Sequence, residues 1–161
     1  EGDTIASLRM PTLYCFKPLN FKNNKQRQQY TRLVRNVKKT LPIAKEVNRA
    51  IIETYEFLQT LPDEKARQKH LNAVEKSVKE QYTPRMKKLT FAQGKLLIKL
   101  INRETDSSSF ELVKAFLGPF KAGFYQAFAA IFGASLKKEY HPEGEDAMVE
   151  QIVLLVESGQ I

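Results

Sequence analysis

Cysteine is almost missing from this chain, and with Cys15 alone no internal disulfide can form. Paired-cysteine metal sites are excluded by the same count, and two histidines, His70 and His141, cannot build a histidine-rich metal site within one chain. No run approaches the roughly 18 to 20 uninterrupted apolar residues of a membrane-spanning helix. A glycine-rich phosphate loop is lacking as well, since Gly94-Lys95 has neither the earlier glycine nor the following hydroxyl that such a loop needs. The most informative absence is of acid: Thr4 to Lys45 holds ten Lys or Arg residues and no Asp or Glu, whereas Glu46 to Ile161 holds 16 basic and 16 acidic residues. The net charge of +8 therefore originates near the N-terminus. After Arg103 there are four basic and nine acidic residues. Either the two parts pack and partly neutralise each other, or the basic part faces an anionic partner.

What is present suits one globular domain. A chain of 161 residues, 42% hydrophobic and 27% charged, is long enough to bury roughly 70% of the surface its unfolded form exposes. Phenylalanines recur every fourth residue at Phe116, Phe120, Phe124, Phe128 and Phe132, with Gly118, Ala122, Ala129 and Ala130 on the other side. A helix apolar almost all round is buried in protein or touches lipid. Here it is too short to span a bilayer, and four other amphipathic helices need a surface to bury, so the ladder reads as core.

The fold class read from these patterns is all-α: a single-domain helical bundle with a long Pro-kinked antiparallel helical hairpin, a central Phe-rich helix and an extended N-terminal arm. The arm takes residues 1–21 and the helical domain 22–161. Thr4 to Phe16 is rich in strand formers but broken by Pro11, so it could pair only with itself, with a partner chain, or with a groove between helices. From Tyr30 the residues Val34, Val37, Leu41, Ala44, Asn48, Ile51, Tyr55 and Leu58 follow at alternating spacings of four and three. This heptad pattern passes through Pro42 without a phase break and predicts one helix over 24–59, kinked near Lys38 to Leu41. Asn48 would be a polar seam position. Thr60-Leu61-Pro62-Asp63-Glu64 carries the chemistry of one helix stopping and another starting. The next helix, 65–88, folds back on the first with Leu71, Val74, Val78, Tyr82 and Met86 inward. Thr90-Phe91-Ala92-Gln93 is a capping box opening a largely buried helix over 91–104, and Ser108 to Glu111 is another. The phenylalanine helix runs from Pro119 to Gly133. His141 to Gly144 is a turn, and a last helix over 146–157 points Val149, Ile152, Val153 and Val156 inward.

The run Leu33-Val34-Arg35-Asn36-Val37-Lys38-Lys39-Thr40-Leu41-Pro42, with Leu89 to Ile101 and Arg103-Glu104-Thr105, resembles a domain-of-unknown-function family of Bacteroidetes proteins. The resemblance covers nearly the whole chain. It implies an exported protein of the periplasm or cell envelope whose signal peptide precedes a segment like Gly2-Asp3-Thr4-Ile5. A chain beginning at Glu1 without an initiator methionine is what signal removal leaves, and also what trimming at that point leaves. The resemblance implies no activity, no catalytic residue and no cofactor.

No catalytic constellation stands out. The serines sit in capping contexts or in the arm, and no nucleophile-elbow pattern occurs. His141 with Glu143, Glu145 and Asp146 reads as solvated turn chemistry rather than a metal site, and His70 as a surface residue. The candidate binding residues are basic: Arg32, Arg35 and Lys39 on the long helix opposite its seam, and Lys95, Lys99 and Arg103 four apart on one edge of the later helix, with Glu104 beside them; Arg103 and Glu104 also read as structural, an arginine on the negative helix end and a glutamate in an ion pair across helices. They point to a non-enzymatic binding or scaffold protein of the envelope, engaging a protein or an anionic envelope component. Nucleic acid is disfavoured because no aromatic or motif-bearing readers interleave the charges. Two alternatives remain open: a hydrolase-like enzyme with a site between Arg103/Glu104 and the His141 turn, and peripheral membrane association through the phenylalanine helix.

Overall fold

Asn23 starts the long helix, its side chain accepting from the Gln26 backbone N–H at 2.9 Å while the Gln26 side chain accepts from the Lys22 N–H at 2.8 Å. Two of the orphan donors at the helix start are satisfied reciprocally. The computed structural model describes residues 7–106, 123, 126–132 and 140–161. Helix α1 spans Asn24–Gln59, α2 Glu64–Met86 and α3 Phe91–Asp106. α4 is described over 126–132, with Gly123 also helical, and α5 spans Ala147–Glu157. The fold is an all-α single-domain bundle, with no strand among the described residues. The second capping box, Phe116, Phe120, Phe124 and the Gly133 terminus lie outside the described residues.

Pro42 does not break α1, which continues for 36 residues, roughly 54 Å at 1.5 Å per residue. Pro42 and Lys38 are both on the exposed side, so the Lys38 carbonyl that loses its helical donor can turn to water. One row of the expected seam, Val37, Ala44, Ile51 and Leu58, is buried as expected. The other row shifts by one residue: Thr40 and Val47 are fully buried beside Leu41, while Asn48 is only half-buried. An α-helix at 3.6 residues per turn drifts off a strict heptad, and the seam broadens towards the preceding position. Thr40 tolerates burial because its hydroxyl donates to the Asn36 carbonyl at 2.9 Å. Asn48 Oδ1 has no hydrogen-bond partner among the described residues.

Thr60 closes α1 by donating its hydroxyl to the Phe57 carbonyl at 2.7 Å, and Asp63 opens α2 by accepting from the Ala66 N–H at 2.7 Å. The two helices run antiparallel. The Phe57 ring packs at a tilt against His70 with ring centroids 4.6 Å apart, so His70 is half-buried against the hairpin rather than a free surface residue. Towards the other end, Arg85 donates to both Glu46 oxygens at 2.7 and 3.0 Å, and the Tyr82 hydroxyl donates to Glu46 at 3.2 Å.

The Thr90/Gln93 box forms as its sequence implies, at 3.3 Å from the Gln93 N–H to Thr90 and 3.2 Å back. It launches α3 into the core, where Leu96, Leu97, Ile98, Leu100 and Ile101 are buried. α3 packs closely along α1, and α5 covers another part of α1 with Val149, Ile152 and Val153 inward. Phe128 is fully buried in the same core. A Cβ on Gly94 would lie 2.8 Å from the Phe132 ring and 3.0 Å from that of Phe128, so glycine lets α4 approach α3. A Cβ on Gly123 would likewise stand 3.0 Å from the Glu75 carbonyl oxygen and from Val78 of α2.

The arm over residues 7–21 carries no regular secondary structure. Its later part lies in the groove beside α1 and α5, while residues 7–13 are exposed. Phe21 packs on Tyr30 at 5.5 Å, and Leu19 and Phe21 join Tyr30, Leu33 and Met148 around a groove of about 320 Å³. Further back, the Gln160 side chain accepts from the Tyr14 N–H at 2.8 Å and donates to the Tyr14 carbonyl at 2.9 Å.

Candidate functional site

The seven basic and acidic candidates divide into two groups. Arg32 and Arg35 are exposed on α1, and neither makes an ion pair or side-chain hydrogen bond among the described residues. Lys25, Arg32, Arg35 and Lys39 follow at helical spacings along one exposed side, roughly 21 Å from first to last. Lys38 flanks them, and Lys22 and Arg27 continue the positive charge to the helix start. No carboxylate pairs with any of these residues among the described ones. Lys39 donates to Gln93 Oε1 at 3.2 Å, and Gln93 Nε2 donates to Asn36 at 3.0 Å, wiring the α3 cap to α1.

The α3 edge is different. Lys95 is half-buried with its ammonium 5.6 Å above the Phe91 ring, and it lines a groove of about 270 Å³ with Leu33, Asn36, Ala92, Leu96 and Lys99. Lys99 donates to Asp146 at 2.6 Å and Glu145 at 3.1 Å, with 14% of its side chain exposed. Burial opposes its charge, but these two carboxylates outweigh burial and raise its pKa. Asp146 does not cap α5 with its side chain; it instead accepts from Lys99 and from the His141 N–H at 3.1 Å.

Arg103 is the centre of the lock between α3 and α5. It donates to both oxygens of Glu150 at 2.7 and 2.8 Å and to Glu104 at 2.7 Å, and lies 3.4 Å from Glu157. The Tyr140 hydroxyl donates to Glu150 at 2.7 Å, and Lys45 pairs with Glu157 at 2.6 Å. Burial raises the Tyr140 pKa first, and the bond to Glu150 raises it further. For Glu150, burial favours the neutral form, but Arg103 and Tyr140 overcome it and hold the carboxyl below its ordinary value. Such a bidentate guanidinium fork fixes orientation as well as charge.

The anion wall expected at Lys95, Lys99 and Arg103 is thus corrected. Lys99 and Arg103 are occupied by carboxylates of the acidic C-terminal part, and Glu104 is buried beside Arg103. Neutralisation between the parts of the chain takes place here, using the α3 bases Lys99 and Arg103 and, from the acid-free N-terminal stretch, Lys45. His141 has an exposed side chain, and the grooves formed by described residues at 19–27, beneath Leu19 and Met148, and at Lys95 include none of Arg103, Glu104 and His141. Among the described residues no three His, Cys, Asp or Glu side chains converge as metal ligands, and no helix is long and apolar enough to cross a membrane.

Two clusters had little local signal. The Glu46–Tyr82–Arg85 group joins residues 36 and 39 apart, and Arg103–Glu150 residues 47 apart. The one available hint was that Glu150 and Glu157 stand two helical turns apart on one face of α5. A family model described as a domain of unknown function (DUF4294) matches residues 3–155, and the chain belongs to that family. No curated protein and no solved structure matches it.

Proposed function

We propose that this member of the domain-of-unknown-function family DUF4294 is a non-enzymatic helical binding or scaffold module of the cell envelope, which engages an anionic partner through the exposed stripe Lys25, Arg32, Arg35 and Lys39 of α1. One observation carries the reading. Lys45, Arg85, Lys99 and Arg103 are paired with acids, as only some bases of the bundle are, whereas the four members of the α1 stripe stand together on one exposed side with no carboxylate partner among the described residues. A row of uncompensated cations on a rigid helix favours a long polyanion or a charged surface over a compact ligand. Placement in the envelope rests on the family resemblance of the sequence, and cell fractionation tests it.

The hydrolase-like alternative loses its motivation, because Arg103 and Glu104 are bound up with one another and with α5. Binding is tested by salt titration against anionic liposomes, nucleic acid and cell-wall polymer. Affinity is expected for at least one of them at low salt, falling as salt rises. The double reversal Arg32→Glu/Arg35→Glu should weaken it by roughly tenfold or more. Absence of binding to all three at low salt overturns the reading.

A further inference from the structure

Among the described residues the most exposed large apolar side chains gather on the arm, while Phe57, Phe91, Met148 and Ile161 are exposed singly elsewhere. Leu8 is 87% exposed, Met10 78%, Leu13 66% and Phe16 40%, all on the arm, and Phe21 follows at 38%. These residues belong to the stretch without acid, with Arg9 between Leu8 and Met10 and Lys17 next to Phe16. Tyr14, clamped by Gln160, and Leu19 are half-buried, so the body of the protein holds the arm from residue 14 onward and leaves residues 7–13 projecting. We infer that the projecting arm is a membrane-surface anchor: Leu8, Met10, Leu13 and Phe16 enter the headgroup boundary of an anionic bilayer while Arg9, Lys17 and the α1 stripe hold its phosphates.

Three features select a lipid surface over a protein groove. In an extended chain Leu8 and Met10 share one parity and Leu13 has the other, so the apolar residues project to both sides. A fluid interface receives both, whereas one wall of a protein partner receives one. Pro11 lacks an N–H and disrupts strand addition to a sheet edge. Finally, apolar groups interleaved with cations and free of acid are the combination that binds anionic headgroups, each supplying what the other cannot. Of the phenylalanine ladder, the two described members are engaged inside the protein, Phe128 fully buried and Phe132 packed on Gly94.

This inference rests on the α1 stripe as an anion-binding surface, and the experiment separates the two. The full chain is floated with vesicles of phosphatidylcholine alone and of phosphatidylcholine with phosphatidylglycerol in equal parts, and its binding to soluble polyphosphate is measured in parallel. The chain has no tryptophan, so Met10→Trp introduces a single reporter. Expected are flotation with the anionic vesicles only, a blue shift of Trp emission on binding, and a loss of roughly tenfold or more in vesicle affinity for Leu8→Ser/Met10→Ser/Leu13→Ser. That variant should retain its helical circular dichroism and its polyphosphate affinity. Unshifted Trp emission, or a triple variant that floats like the parent, overturns the anchor. Polyphosphate binding that persists in that case leaves the stripe standing by itself, and failure to bind either vesicles or polyphosphate removes both.

Discussion

Gly94 shows how one missing side chain sets the spacing of two helices. Alanine there would gain about 1 kcal/mol in helix propensity, yet its Cβ would stand 2.8 Å from Phe132 Cε2 and 3.0 Å from Phe128 Cε2. Phe132 is half-buried, but the Phe128 ring has little room to withdraw. Phe128 is fully buried, 5.8 Å from the Phe91 ring and 4.8 Å from that of Phe132. Overpacking of a fixed core costs about 1 to 3 kcal/mol and exceeds the propensity gain. Gly94→Ala is therefore expected to destabilise the protein by about 1 kcal/mol net, read as a lower urea midpoint with an unchanged slope. A higher midpoint would mean that α4 does not press on α3 at this residue.

At the scale of the element, α1 is a helix that keeps its course through a proline. Pro42 leaves the Lys38 carbonyl without its helical donor on an exposed face, at a cost of up to about 3 kcal/mol in a helix interior. Proline also restricts the unfolded chain, which offsets about 0.4 to 1 kcal/mol of that cost. Pro42→Ala should then stabilise the protein by about 2 kcal/mol, seen as a higher melting temperature. Destabilisation would show that the packing of α1 against α3 depends on the proline. Elements were legible in the sequence wherever their determinants are local. The Thr90/Gln93 box, the Asp63 start of α2, and the inward row Leu71, Val78, Tyr82 and Met86 all depend on residues within a few turns. The seam of α1 was half legible, because a heptad count follows the row through Val37 and Ala44 but not the one-residue drift that buries Val47 in place of Asn48. The fate of the α3 edge was only partly legible. Lys99 read as a free cation, and for Arg103-Glu104 an ion pair across helices could be read but not its partner, until the residues some 47 positions on are placed across them. Arg32 and Arg35 read as Lys99 did and do remain exposed; spacing alone does not distinguish them from it.

For the whole molecule, the ion pairs divide the chain into a locked body and an uncompensated basic front, and the locks give stability a defined pH window. Glu46 is held below its ordinary value of 4.5, first by the hydrogen bond from Arg85. Glu150 is likewise lowered from 4.5, with Arg103 and Tyr140 prevailing over burial. A carboxyl whose folded pKa lies below its unfolded one contributes fully above the unfolded value and loses that contribution as pH falls through the folded one. Stability should thus be level near neutrality and decline below about pH 4.5. The tyrosines set the other edge. Burial first, and then Glu46, push Tyr82 from 10.0 up to about 12, and Tyr140 is raised in the same sense by burial and Glu150. For an acid raised in this way the folded state favours the neutral phenol, so its contribution is complete below pH 10 and disappears as pH rises through about 12. Melting temperature measured from acid to alkaline pH should show this plateau with two falling limbs. Glu150→Gln leaves Arg103 short of its bidentate partner and should lower the plateau by about 3 kcal/mol, the lower end of the cost of breaking a buried pair. It should also make the acid limb shallower, because one of the depressed carboxyls is gone. A variant with the parent's acid limb would show that the α3–α5 lock does not govern acid stability, and Glu46 with Arg85 would then have to account for it.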